Sequence, residues 1–171
     1  MAVVRERGAI LRGAAVASVL SGLPSSAYAL LQGRDPRAQG VAATRAIGTL
    51  VWPGEPGLVR GALAHGAISL AVGGALGVTL PARHPVAWGA VAGLAIGWVN
   101  LRVIAVHRYP AIASLPIGPQ LADNVAFGAI FAAASSPATA RLRSDGSPNR
   151  HLPHVLPVGR RRRRHPTGRR A

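Results

Sequence analysis

Few side chains in this sequence could do chemistry in an apolar setting, and they collect in three short stretches. His65 stands alone on the first; Asn100 and Arg102 mark the second; Gln120, Asp123 and Asn124 make up the third. An imidazole and a carboxylate can pass a proton between them, and the imidazole titrates near neutrality. Amides beside them could hold a small polar solute. A charge in such a setting calls for a partner, and Arg60 or Arg102 is the expected counter-charge for Asp123. These residues predict a polar cluster of His65, Asn100, Arg102, Gln120, Asp123 and Asn124. The competing reading leaves Asp123 at a water interface and lets both arginines reach outward along their aliphatic stems.

Established catalytic patterns are missing. There is no Walker A loop, H-E-x-x-H, G-x-S-x-G or pair of carboxylates at working distance. With no cysteine, disulfides and thiolate metal sites are excluded. No cofactor and no metal ligand set is expected, and an intramembrane enzyme built on His65 and Asp123 is the least favoured class. A non-enzymatic structural or accessory role is preferred, with a proton or small-solute carrier as the alternative.

The elements that position these residues are apolar segments set off by prolines. Half of the 171 residues are apolar (49%) and the formal charge is +15. All twenty basic residues are arginine. Spanning a bilayer takes about 20 apolar residues at about 1.5 Å each. Four segments, at about 13–31, 58–80, 86–106 and 115–136, approach or meet that length. The runs from Gly61 to Leu80 and from Val86 to Leu101 contain no Arg, Asp or Glu, whereas a helix of a water-soluble core carries a charged face. The expected class is therefore all-α, an integral membrane bundle of four transmembrane helices with a disordered basic C-terminal tail. Residues 1–12 form a basic N-terminus, 13–137 the membrane domain and 138–171 the tail.

The N-terminus reads in two ways. Arg5, Arg7 and Arg12, an apolar stretch, Pro24 and Ala27-Tyr28-Ala29 resemble a cleaved secretory signal. Leu30 and Leu31 continue the apolar stretch beyond that cut, which favours an uncleaved first span kinked at Pro24. Residues 38–52 contain no proline and predict a short interfacial helix anchored by Trp52. With four spans, one side receives Arg5, Arg7, Arg12, Arg83 and the ten tail arginines. The other receives Arg34, Arg37, Arg45, Arg60, Arg102 and Arg108. The excess places both termini in the cytoplasm and the chain in the cytoplasmic membrane. Up-and-down threading then brings every residue of the polar cluster to the opposite end.

Small residues recur at a spacing of four. Ser69, Gly73 and Gly77 follow His65; Gly89, Gly93 and Gly97 form a double G-x-x-x-G; Gly128 and Ala132 follow Asn124. On a helix these share a face and let backbones approach closely in lipid. They predict packing within the bundle, with a homo-oligomer through the Gly89–Gly93–Gly97 stripe as the alternative.

The series His65-x-x-x-Ser69, Trp88-Gly89-x-x-x-Gly93, Leu115-Pro116, Asn124-Val125 and Gly128 resembles small multi-pass inner-membrane proteins of the YagU type. The resemblance covers roughly residues 60–135 and lacks most of that family's aromatic and acidic positions. It implies a multi-pass protein of the cytoplasmic membrane and brings no established chemistry.

The tail, from Ala138 onward, holds ten Arg and one Asp. Arg160, Arg161, Arg162, Arg163 and Arg164 beside a bilayer should attract anionic lipid headgroups. No aromatic side chain is present in the tail to stack on bases, so nucleic acid is the less favoured partner.

Overall fold

The computed structural model describes residues 5–52 and 55–136, and every regular element among them is helical. The basic tail, with residues 160–164, lies outside the described residues. The segments expected as spans fold as follows: the first comprises α1 (Arg7–Leu20) and α2 (Leu23–Leu31). A short helix α3 (Pro36–Ile47) continues as a 3-10 turn, Gly48–Leu50. The second span is α4 (Leu58–Thr79). The third is α5 (Pro85–Val99), a π turn at Asn100–Ile104, and α6 (Ala105–Arg108). One turn, α7 (Pro110–Ala113), leads to α8 (Ile117–Ala134).

Three of these stretches, Arg7–Leu31, Leu58–Thr79 and Pro85–Arg108, are long and apolar enough to cross a membrane. Their side chains are sorted in a way that suits lipid. Large apolar groups point outward: Leu63 is 70% exposed, Trp88 52% and Trp98 54%. The interior is built mainly from Ala14, Ala17, Ser69, Gly73, Gly89, Gly93 and Ala132, with Leu76 and Leu80 among them. Among the described residues that are fully buried, Phe131 is the one large side chain. A protein folding in water would bury the large groups to gain about 25 cal/mol per Å². In lipid that gain vanishes, and close backbone packing replaces it.

The four long helices stand in the order α4, α1, α8, α5, each packed on its neighbours in that row. Gly73 and Gly77 of α4 face Ala14 and Ile10 of α1: a Cβ on Gly73 would lie 2.8 Å from the Ala14 Cβ. Gly13 of α1 faces α8, where a Cβ would lie 3.0 Å from both Phe131 Cδ2 and Ser135 Cβ. The glycines of α5 meet α8 in the reverse order. Gly89 abuts the Gly128 carbonyl and Ala132, Gly93 the Asn124 carbonyl and Val125, and Gly97 the Asn124 side chain. The rising and falling numbers make α1 antiparallel to α4 and α8, and α8 antiparallel to α5. Helix directions alternate along the chain. The Gly89–Gly93–Gly97 face, which the sequence also offered to a second copy, is filled by the chain's own α8.

Two boundaries differ from the sequence reading. The first span is interrupted at Ser21–Gly22 rather than bent at Pro24 itself. Proline has no N–H for the carbonyl four residues back and its ring collides with it, so Pro24 ends α1 at Leu20. Gly33, at φ 66°, then closes α2. The short helix expected at 38–52 starts earlier, at Pro36, gives way to the 3-10 turn at Gly48, and packs on α4. Gly48 packs so closely on Gly57 that a Cβ would lie 2.9 Å from the Gly57 nitrogen, and Gly61 abuts the Thr44 carbonyl. This end of the bundle has its own small core of Ala46, Leu101, Ala105 and Ile112.

Candidate functional site

Breaking a helix frees backbone groups at both new ends. The last four carbonyls of α1 and the first four N–H groups of α2 lose their ladder partners, and within lipid each orphan costs several kcal/mol. Ser18 is among those carbonyls and Ser25 among those amides. Two side chains from distant parts of the chain reach them. The ring Nε2 of His65, on α4, lies 3.0 Å from the Ser18 carbonyl oxygen. A carbonyl can only accept, so Nε2 carries the hydrogen and donates it. The carboxylate of Asp123, on α8, accepts the Ser25 N–H at 2.9 Å.

Local bonds add to these two at the break, where the Ser21 N–H donates to the Ala17 carbonyl at 2.9 Å. Ser25 Oγ and Ser26 Oγ both donate to the Gly22 carbonyl, at 3.1 and 2.8 Å, and so does the Ser26 N–H at 3.0 Å. The charges also match the ends they meet. A helix N-terminus carries partial positive charge and a C-terminus partial negative charge. The carboxylate sits at the start of α2 and the donor imidazole at the end of α1. Both groups are half-buried. The break lies just past the middle of the 25-residue stretch Arg7–Leu31.

Of the six residues predicted to cluster, His65 and Asp123 therefore meet at one feature, the interrupted first span. Asn124 turns to its own helix, its Nδ2 donating to the Gln120 carbonyl at 2.8 Å, and its Cβ fills the space beside Gly97. Gln120 enters through its backbone alone. Asn100 opens the π turn and is half-buried, and Arg102 is exposed. The expected counter-charge is not found at Asp123. Arg60 pairs instead with Glu55 at 3.3 Å, near the bundle surface, and this is the one ion pair among the described residues. Backbone amide and helix dipole supply the compensation that the sequence assigned to arginine.

Ser18, Ser21, Gly22 and Ser25 belong to the site and were not singled out for it. A signal was present, because Pro24 marks where carbonyls must go unpaired and Ser18, Ser21 and Ser25 lie at helical spacing around it. At the other end of the bundle, Arg12 Nε donates to the Ala134 carbonyl at 3.0 Å, capping α8. Among the described residues no group of His, Asp and Glu could hold a metal ion.

Compared with family models, curated proteins and solved structures, the chain matches none.

Proposed function

We propose that the protein is a small non-enzymatic component of the cytoplasmic membrane, with four spans, cytoplasmic termini and a structural or accessory role. The observation that carries this reading is the inside-out sorting of the bundle, with mainly Gly, Ala and Ser inside and most of the Leu, Val and Trp outside. The fourth span is α8. Its 18 residues cover about 27 Å at about 1.5 Å each, close to the hydrocarbon thickness. Its central place between α1 and α5, and its direction, support the assignment. The YagU-type resemblance implies the same placement. The arginine excess of the N-terminus and tail supports cytoplasmic termini and contact of residues 160–164 with anionic headgroups.

The test is extraction. Membranes carrying the full chain, washed with alkaline carbonate, should keep all of it, and only detergent should release it. Release by carbonate would contradict an integral protein.

A second reading has its own observation. An ionisable pair that grips a broken span resembles the way discontinuous helices frame proton or solute sites in membrane carriers. On this reading His65 and Asp123 bind a proton or a small polar solute. Proteoliposomes should then pass protons in response to a pH step, and Asp123→Asn should abolish that flux. Equal flux through the variant would contradict it.

A further inference from the structure

We propose that Asp123 is a proton-binding site whose occupancy decides whether α2 is held against α8. The inference deepens the second functional reading and rests on it, by naming the ligand as the proton and the moving part as the outer half of the first span.

The argument starts from what holds α2 in place. This helix packs on both α3 and α8, with Ala29 buried, and its N-terminal end is bonded to α8 through the Asp123–Ser25 hydrogen bond. Covalently it continues from α1 only through Ser21 and Gly22, where no proline or branched side chain stiffens the chain. Outward, Leu23, Leu30 and Leu31 are exposed, so nothing in the bundle covers that side. Thus α2 is a nine-residue rod on a glycine-containing joint, packed on α8 and bonded to it through the charge-assisted Asp123–Ser25 hydrogen bond. α1 is not free in this way: it lies between α4 and α8 along its length.

The tie depends on the ionisation of one group. As a carboxylate, Asp123 offers the Ser25 amide an anionic acceptor and neutralises the positive end of α2. When it takes a proton it becomes a neutral acid, the helix-end attraction is lost and the hydrogen bond falls to about half its strength. The groups around Asp123 leave the proton little else to do. From α4 it is faced by His65, whose hydrogen is committed to Ser18. Arg60, also on α4, is paired with Glu55. α5 carries no titratable side chain, and on α2 Tyr28 stands one turn beyond Ser25. Of the two arginines of α1, Arg12 is at the far end on the Ala134 carbonyl and Arg7 lies beyond it. His65 stays anchored to α1, so the joint opens on the α2 side only.

The test uses the full chain in lipid nanodiscs, with cysteines introduced at Leu30 on α2 and Trp98 on α5. Both positions are exposed and the chain has no native cysteine. Spin labels there report the distance between α2 and the rigid α5–α8 pair. Infrared titration of the same samples reports protonation of Asp123, identified as the carboxylic-acid band missing from Asp123→Asn. Both are followed from about pH 8 to about pH 4, where carboxylates and imidazoles titrate. The expected result is a second, longer distance population that grows with the acid band. Asp123→Asn should show the longer population throughout. Should that variant not fold, His65→Gln, which keeps a donor for Ser18 but removes the imidazole beside Asp123, gives the second arm. The midpoints of the band and of the distance change should then move together. A titrating Asp123 with an unchanged distance would overturn the hinge and leave proton binding standing. No acid band in this range would overturn both.

Discussion

Asp123 and Ser25 are separated by 98 residues of chain, yet the Asp123 carboxylate accepts the Ser25 backbone N–H at 2.9 Å. Helix ends in water find solvent when their partners are missing. In a membrane they need a side chain, and here the side chain comes from another helix. Replacing Asp123 with Ala should therefore lower stability by about 1–2 kcal/mol. Asn, which keeps a carbonyl oxygen in the same place, should cost about half as much. Thermal unfolding of the three proteins in one mild detergent checks the order.

His65 does the complementary task for the Ser18 carbonyl, so its value lies in a donor at the right reach rather than in an aromatic ring. His65→Ala should destabilise by about 1 kcal/mol, and His65→Gln should recover most of the loss. Equal losses for Ala and Gln in the same unfolding experiment would mean that the imidazole acts through packing.

Glycines of the bundle divide by what surrounds them. Gly93 faces the Asn124 carbonyl and the Val125 backbone, neither of which can yield like the tip of a side chain. Gly93→Leu should prevent folding, seen as aggregation on size exclusion rather than as a folded monomer. Gly74 of α4 has open space where its Cβ would be. Gly74→Ala should stabilise by about 0.5–1 kcal/mol, the intrinsic helix preference of Ala over Gly.

Phe131 is the large side chain at the centre of the row, and its ring lies against Gly13 and Gly73 from two other helices. Phe131→Ala should cost about 3 kcal/mol through the cavity it leaves. Because that cavity joins α1, α4 and α8, Gly13→Ala should cost much less in the Phe131→Ala background than alone. A double-mutant cycle measures the difference.

Three helices long and apolar enough to cross a membrane were legible, because apolar runs without a charge have few other uses and prolines mark their ends. The glycine faces were legible too, since spacing fixes which residues share a helix face. Threading alone brought His65 and Asp123 to one end. What stayed hidden involves backbone. The partners of both side chains are a carbonyl and an amide, which every residue has and no residue type announces. Pro24 promised an irregularity, but the pairing that resolves it depends on which helices touch. The same holds for Gly48, Gly57 and Gly61, whose mutual approach packs the expected short helix against the start of α4. Arg60 was assigned to Asp123 on charge, whereas Glu55, five residues away and near water, is the partner it reaches.

Whether α8 crosses the bilayer is the point on which the whole arrangement turns. The direct measurement places single cysteines at Gly8, Trp52 and Ser136 of the otherwise cysteine-free chain and labels intact cells with a membrane-impermeant maleimide. Four spans predict labelling at position 52, with positions 8 and 136 reacting only after the cytoplasmic membrane is permeabilised. Labelling at position 136 in intact cells would put the end of α8 on the outer side and contradict the account.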